Sequence, residues 1–422
     1  MVIINTLLIL CLLGSNCYGA WDLYLALRRK NPQAHYSKVI TRRFSDMYII
    51  IPALNEENTI KETVNRILKS IANLKKISIN ITAVFIDDDS DDQTGNILKE
   101  FQANQHIHIV SRKLPNARKG KGIALNHALR WINSQHPNPD KTIIGVIDSD
   151  SEPTGRLLAS VLWAFEHSHY GLIQTGVFIS NCQSFLTIMQ AFEFGVINLI
   201  SQVLRCDWGS AIASGNGQFM TLRMTNDVKW RGALLDDLDF SINGLLRGYQ
   251  GGFLPQTLIP QEGVTSYRAF LKQRTRWCQG GMQCLLKYGK TIFLCKLIRT
   301  RLKVDIFVFL FAPFIALFLF LGSLISLPIL LEHLIMYPLN TFLVLSVFLT
   351  INFLISATIV NAGLRSNNRK LRILLQKNIL QVVFGNLFYL WAMAPVPYIA
   401  FYRLLRGQNE WVKTAHHGGA VS

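Results

Sequence analysis

Three long apolar stretches, near residues 305–331, 338–362 and 379–402, close this 422-residue chain. They constrain its architecture more than any other feature. Each is long enough to cross the hydrocarbon core of a bilayer, about 30 Å, as a helix. Backbone surrounded by lipid must satisfy its donors and acceptors internally, so helices are what such runs form. A fourth apolar run, Val2 to Trp21, stands at the other end. Cys17-Tyr18-Gly19 could pass for a signal-peptide cleavage site. No Lys or Arg precedes the run, however, whereas Arg28-Arg29-Lys30 follows it. That charge order favours an uncleaved anchor with its N-terminus outside and the next domain in the cytosol.

The formal charge is +17. Much of it flanks the apolar runs: Arg28, Arg29 and Lys30; Lys296, Arg299, Arg301 and Lys303; Arg365, Arg369, Lys370 and Arg372. Cytosolic loops of membrane proteins concentrate Lys and Arg in this way, so the excess is assigned to a membrane face and a nucleic-acid partner is excluded. The basic loop 364–377 is expected in the cytosol, giving an in–out, out–in, in–out path for the last three runs. Arg403, Arg406 and Lys413 pull the tail inward against that path, and Pro395 and Pro397 are placed to break the last run. Seven cysteines form no Cys-x-x-Cys or Cys/His cluster, which excludes structural zinc and indicates reduced thiols. Runs 305–331 and 338–362 carry almost no ionisable residues beyond their edges, which argues against a transporter.

Between the apolar ends the pattern changes. Met47–Ala53, Ile79–Ile86, Ile107–Val110 and Thr142–Ile147 read as strands, short and rich in Ile or Val. Glu56–Ile71, Asp92–Gln102 and Gly122–Ile132 read as helices, with Asn55 and Asp92 positioned as caps. Alternating β and α elements predict an α/β fold with a doubly wound, mostly parallel sheet, whose ligands bind beyond the carboxyl ends of the strands. Tyr267–Tyr288 and Thr291–Arg301 are apolar on one face and basic on the other. They suit helices lying on a membrane surface, with amphipathic core helices as the alternative.

Three acidic clusters stand out. Asp87 to Asp92 follows the strand ending at Ile86. Carboxylates there cannot be buried unpaired; Asp87 and Asp88 are candidates to hold a nucleobase or ribose, while Asp91 and Asp92 read as a solvated turn with a helix cap. Asp148-Ser149-Asp150 follows the next strongly apolar strand, where two carboxylates can face one hard cation with a pyrophosphate beyond it. Asp236-Asp237-Leu238-Asp239 opens a helix and offers a general base for an acceptor hydroxyl; Asp enrichment from the helix dipole is the alternative. Gln273-Arg274-Thr275-Arg276-Trp277 adds guanidinium groups and an aromatic ring suited to a diphosphate and a sugar face. Lys119-Gly120-Lys121-Gly122 lacks the P-loop frame; it reads either as a phosphate-binding helix start through Lys121 or as a basic surface loop. Gly215-Asn216-Gly217-Gln218 reads as a turn that lets backbone approach a ligand.

Taken in order, Ile50-Ile51-Pro52-Ala53-Leu54-Asn55-Glu56, then D-D-x-S-x-D-x-T over Asp87–Thr94, Lys121–Asn126, Asp148-Ser149-Asp150, Asp236-Asp237 and Gln273–Trp277 resemble the motifs of family 2 glycosyltransferases. The resemblance covers roughly residues 46–280 and extends to the flanking apolar runs. It implies a GT-A fold, a UDP-sugar donor, Mg2+ or Mn2+, and inversion at the anomeric carbon. Residue by residue, it implies that Asp87 and Asp88 hold the uridine, Asp150 ligates the metal with Asp148 on the nucleotide, and Asp237 is the base. Gln273, Arg276 and Trp277 would line the donor diphosphate and acceptor site. Leu235 and Asp236 replace the Thr and Glu of the family's T-E-D motif, and the F-x-V-T-x-K segment of cellulose synthases is missing.

The expected organisation is an anchor (1–30), a cytosolic catalytic domain (31–267), interfacial helices with Q-x-x-R-W (268–303), three membrane segments (304–405) and a tail (406–422). The expected function is a processive synthase of a β-linked polysaccharide in the cell membrane, resembling poly-N-acetylglucosamine, hyaluronan and cellulose synthases. The alternative is a single transfer to a membrane lipid, resembling ceramide glucosyltransferase. Four spans are few for a polymer channel, so a homo-oligomer or the interfacial helices would complete the pore.

Overall fold

The computed structural model describes residues 43–74, 77–366 and 368–409, with a few positions between 20 and 27. All but the last two residues of the anchor predicted at Val2–Trp21, and the end of the tail, lie outside the described residues. Seven strands form one sheet in the order β3-β2-β1-β4-β6-β5-β7. They are β1 (Asp46–Ala53), β2 (Asn80–Asp88), β3 (Ile107–Arg112), β4 (Thr142–Val146), β5 (Leu172–Ile179), β6 (Gln218–Thr221) and β7 (Gly251–Gln261). β1 pairs in parallel with β2 and with β4, β2 with β3 and β5 with β7; β6 runs antiparallel between β4 and β5.

Apolar residues on both faces of β1 explain its central position. Ile49 and Ile51 join one core with Phe85, Ile143 and the helices α1 (Ile60–Ala72) and α4 (Gly155–Glu166). Tyr48 and Ile50 join the other with Val84, Ile144 and α3 (Lys121–Ser134). The chain leaves β1 toward β2 and β3, then returns to the far side of β1 as β4. The strand order therefore reverses beside β1, and a crevice opens there beyond the carboxyl ends.

The first helix begins at Ile60, four residues later than expected, and its N-cap Thr59 makes no capping bond. The preceding residues are engaged elsewhere. Asn55, with φ of 52°, donates its N–H to Ser90 Oγ at 3.1 Å and accepts from the Asp91 N–H at 2.9 Å. Glu56 donates its N–H to Thr94 Oγ1 at 2.7 Å. These bonds tie the end of β1 to the acidic turn rather than starting a helix. Asp92 lies just before α2 (Thr94–Lys99) and accepts from the Thr94 N–H at 2.9 Å.

After β5 the chain forms α5 (Phe185–Phe192), a π-helical turn (Glu193–Asn198) and α6 (Leu199–Trp208) in one continuous rod. α7 (Leu222–Val228) and α8 (Asp236–Leu246) follow β6. The first expected surface helix runs on to Leu294 as one helix of 28 residues, α9 (Tyr267–Leu294), capped by the Ser266 hydroxyl; the second is split by a turn at 295–299, its start joining α9 and its end the next helix. Helix α9 is buried on more than one side, at Phe270, Gln273 and Tyr288 and, nearly opposite Gln273, at Thr275 and Met282. Gly280 permits this, because a Cβ there would lie 2.6 Å from Leu235 Cβ. A helix with a side chain at that position could not approach the start of α8 so closely.

Beyond α9 come α10 (Thr300–Met336), α11 (Pro338–Leu364), the short basic α12 (Arg369–Lys377), α13 (Ile379–Ala392) and α14 (Pro395–Leu405). The break predicted at Pro395 falls at Met393–Ala394. Among the described residues, four helical stretches are long and apolar enough to cross a membrane: Phe185–Trp208, Thr300–Met336, Pro338–Leu364 and Ile379–Leu405. The first was not marked in the sequence, and it differs from the others. Its apolar window is 67% buried, against 17%, 17% and 28% for the last three. It belongs to a third apolar core, where Ile188, Phe192, Val196 and Ile200 meet Phe270, Tyr288, Ile359, Leu371 and Tyr389.

Candidate active site

The first acidic cluster is held from all sides. Asp87 and Asp88, at the end of β2, are both buried. Asp87 accepts from the Ser90 N–H at 3.0 Å. Asp88 pairs with the buried Arg112 and accepts from the Arg118 N–H at 3.1 Å. Burial pushes the Asp88 carboxyl up, and Arg112 pulls against that shift. Lys113 binds Asp89 at 2.9 Å, and Arg118 reaches the Asp89 carbonyl and the Asp91 carboxylate. Arg112, Lys113 and Arg118 thus offset much of the charge of a turn that the sequence presents as bare acid.

The second cluster sits beyond β4, braced by the turn at 214–217. Asn216 accepts from the Asp148 N–H at 3.2 Å and donates to Ser151 Oγ at 2.7 Å and Gln261 Oε1 at 3.0 Å. Gln174 binds the Asn216 carbonyl at 2.8 Å. Thr63 Oγ1 donates to the Ser149 carbonyl at 2.5 Å. The Glu262 N–H donates to Asp150 at 3.3 Å. The Asp148 carboxylate is paired with the Lys121 ammonium, which also reaches the Gly215 carbonyl at 3.4 Å. Lys121 opens α3 behind Gly120, whose φ of 110° admits a glycine readily.

The third cluster faces this same point from α8. Asp236 accepts from the Gly122 N–H at 2.9 Å, so it docks on the start of α3; its other carboxylate oxygen is buried without a partner. Burial raises its pKa to about 7, opposed by the Gly122 bond and assisted by the Asp237 charge. A Cβ on Gly122 would lie 2.4 Å from the Asp236 carboxylate, so a side chain there would displace Asp236 from the start of α3. Asp237 is also pushed up by burial, with its own helix start, Lys121 and Arg276 pulling down. It faces Gly215, where a Cβ would sit 3.2 Å from its carboxylate.

Helix α9 completes the arrangement. Gly280 and Arg276 lie one turn apart on one face, so the close approach at Leu235 brings Arg276 over the third cluster. Arg276 donates to the Leu234 carbonyl at 3.3 Å, and its Nε is buried without a partner. Burial lowers its pKa, while Asp237, Asp236 and Asp148 hold its charge. Gln273, a turn earlier, is buried with Oε1 unpartnered. Trp277 turns elsewhere, edge-on to Phe194 at 6.0 Å. Five sequence candidates therefore converge: Lys121, Asp148, Asp236, Asp237 and Arg276. Partly uncompensated carboxyls and a buried guanidinium at a sheet's carboxyl edge suit a group that brings phosphate charge and a proton.

Residues 143–362, more than half of the chain, match the Glycosyl transferase family group 2 model, and residues 48–223 match Glycosyl transferase family 2. The chain is a family 2 glycosyltransferase. Among curated relatives, the probable glycosyltransferase YdaM of Bacillus subtilis is 27% identical, over 71% of this chain and 69% of its own length. A beta-monoglucosyldiacylglycerol synthase of Nostoc is 29% identical over 67% of this chain and 58% of its own. A poly-beta-1,6-N-acetyl-D-glucosamine synthase of Staphylococcus epidermidis is 25% identical, over 56% of this chain and 55% of its own. The matches thus span little more than half of these two synthases. A mannosyltransferase of Pyrobaculum calidifontis, solved with GDP-Man and Mn2+, superposes with a TM-score of 0.60 at 16% identity, over 96% of this chain and 99% of that one. The sheet is accordingly the GT-A fold of a glycosyltransferase, joined to long apolar helices that are candidate membrane spans.

Several contributors in this glycosyltransferase were invisible in its sequence. Arg112 and Arg118 lie in unremarkable basic stretches. Asn216 was read only as part of a turn. Glu193 and Tyr389 lie inside apolar helices, where an isolated polar residue was the available signal.

Proposed function

We propose that this glycosyltransferase transfers a hexose from a UDP-sugar, with inversion, to a lipid in its own membrane. The observation that carries the reading is the convergence of Lys121, Asp148, Asp237 and Arg276 at the carboxyl edge of β4, with Arg276 on the helix that leads toward the spans. Lys121 and Arg276 bind the donor diphosphate. Asp237 takes the proton of the attacking hydroxyl, its raised pKa suiting a general base. Asp87 and Asp88 line the uridine side of the crevice, and Gln273 the acceptor side; Trp277, assigned to that side by the sequence, packs instead on Phe194 and Arg274.

Asp148 and Asp150 suit a divalent ion such as Mg2+ or Mn2+. Among the described residues no group of three acidic, His or Cys side chains gathers to hold one. Two strand-end carboxylates nonetheless fit the usual pattern for Mg2+, in which substrate phosphates and water supply the remaining oxygens. The ion would neutralise charge on the departing UDP.

Support for a lipid acceptor comes from the three terminal spans, which leave most of their apolar windows unburied against protein. Such faces suit contact with lipid more than enclosure of a polar conduit. The relatedness to beta-monoglucosyldiacylglycerol synthases points the same way. Gln273–Trp277 and the poly-N-acetylglucosamine synthase relative favour a second reading, a processive polymer. The basic residues beside the spans favour a cytosolic catalytic domain, about residues 31–267.

The deciding experiment supplies the detergent-purified protein with single radiolabelled UDP-sugars, Mg2+ or Mn2+ and membrane lipid extract. One sugar on extractable lipid is expected. High-molecular-weight product would replace this reading with the polymer one.

A further inference from the structure

The same helix that presents Arg276 to the carboxylates carries a second, differently directed arginine. Arg274 is buried and forms a two-pronged ion pair with Glu193, at 2.6 and 2.8 Å. Tyr389 donates its hydroxyl to the same carboxylate at 2.6 Å and accepts from Arg274 at 3.3 Å. The guanidinium carbon stands 4.5 Å from the Trp277 ring centroid, 5.0 Å from Phe270 and 5.8 Å from Phe194. Three helices meet in this knot: α9, the π-turn after α5, and α13. The last two belong to stretches apolar enough to span a membrane.

A buried arginine is held where both its charge and its fork of donors are matched. Here the matching carboxylate opens a π-helical turn, an irregularity common at functional sites. Glu193 and Phe194 are consecutive, and they engage Arg274 and Trp277, which lie one turn apart on α9. The knot therefore fixes how α9 is rotated about its axis. Residues 273, 276 and 280 occupy the neighbouring face, so that rotation decides whether Arg276 points at Asp148, Asp236 and Asp237.

We infer that Glu193, Arg274 and Tyr389 are positioning residues that set Arg276 in the donor site from the membrane helices. The inference rests on the reading of Arg276 as a diphosphate ligand. Substrate contact is not required of any of the three. A shift of α13 or of the π-turn is transmitted to the donor site through one bidentate pair and one hydroxyl.

The test is calorimetric titration of UDP with Mn2+ into the full-length protein in detergent, with thermal unfolding in parallel. Arg276→Ala sets the scale and should weaken UDP at least tenfold. Glu193→Gln should approach that loss. Tyr389→Phe, which removes one hydroxyl and leaves the ion pair, should weaken UDP about threefold with little change in melting temperature. Tyr389→Phe combined with Arg276→Ala should bind no more weakly than Arg276→Ala alone. If Arg276→Ala is impaired while Glu193→Gln and Tyr389→Phe bind UDP normally, or lose only melting temperature, the inference is overturned and the donor site stands. A double variant whose losses multiply overturns it as well. If Arg276→Ala binds UDP as the wild type does, the donor-site assignment falls and the inference falls with it.

Discussion

Asp87–Asp92 and Asp236–Asp239 look alike as text and behave differently as structure. In the first, Arg112, Lys113 and Arg118 and backbone donors engage Asp87, Asp88, Asp89 and Asp91. In the second, Asp239 is satisfied by Tyr288 at 2.7 Å and Lys287 at 3.0 Å, but Asp236 keeps a buried oxygen without a partner and both Asp236 and Asp237 are raised by burial. Compensated charge builds a rigid wall. Charge left partly uncompensated in a crevice is a store of proton affinity, which is what base chemistry needs.

The largest effect that tests this contrast is at Asp237. Asp237→Asn should reduce sugar transfer by roughly a thousandfold, within the range for losing a positioned base, while UDP affinity changes less than threefold. Near-normal turnover would assign the proton to another group. Next comes the wall. Arg112→Met leaves Asp88 buried without its cation and should destabilise the fold by about 3–5 kcal/mol, as for other broken buried pairs. Denaturant unfolding measures this; an unchanged midpoint would mean that the first cluster does not depend on its cations.

Gly280→Val probes how the second cluster meets Arg276. The added side chain cannot fit 2.6 Å from Leu235 Cβ, so α9 must move from α8, and transfer should fall by up to about a hundredfold, as for other small misplacements near a reacting centre. Normal kinetics in that variant would show that the approach is unnecessary.

The last test is of pH dependence. Asp236 has a folded pKa of about 7 against an ordinary 3.8, so the folded state holds a proton that the unfolded chain has released. Stability therefore falls as pH rises from about 4 to about 7 and levels off above it. Asp236→Asn should flatten that slope in melting temperature measured without nucleotide. An unchanged slope would assign the linkage elsewhere.

Much of the fold was legible because parallel strands buried on both faces must be apolar throughout, and Met47–Ala53 and Thr142–Ile147 are. Position along the chain also marked Asp148, Lys121 and Asp237, since each follows a strand or opens a helix. Partners were not legible. Nothing near Asp88 in the sequence points to Arg112, and Glu193 lies 81 residues from the arginine it pairs with. The pattern over 267–301 leaves membrane-surface and core helices both open, because an apolar stripe indicates burial without saying against what; the structure puts Phe270, Tyr288 and Ile292 in the core. Phe185–Trp208 escaped notice because its hydropathy, lower than that of the terminal spans, does not separate a membrane helix from a core one.

The sequence by itself determined the local things: which segments are helix or strand, which runs suit lipid, and where carboxylates fall relative to strand ends. These depend on periodicity and on neighbours a few residues away. Only the tertiary structure decided which acids are neutralised, which stay protonatable, and which way α9 faces. Those properties depend on burial and on charges brought from distant parts of the chain, and a carboxylate's pKa is set by that surrounding.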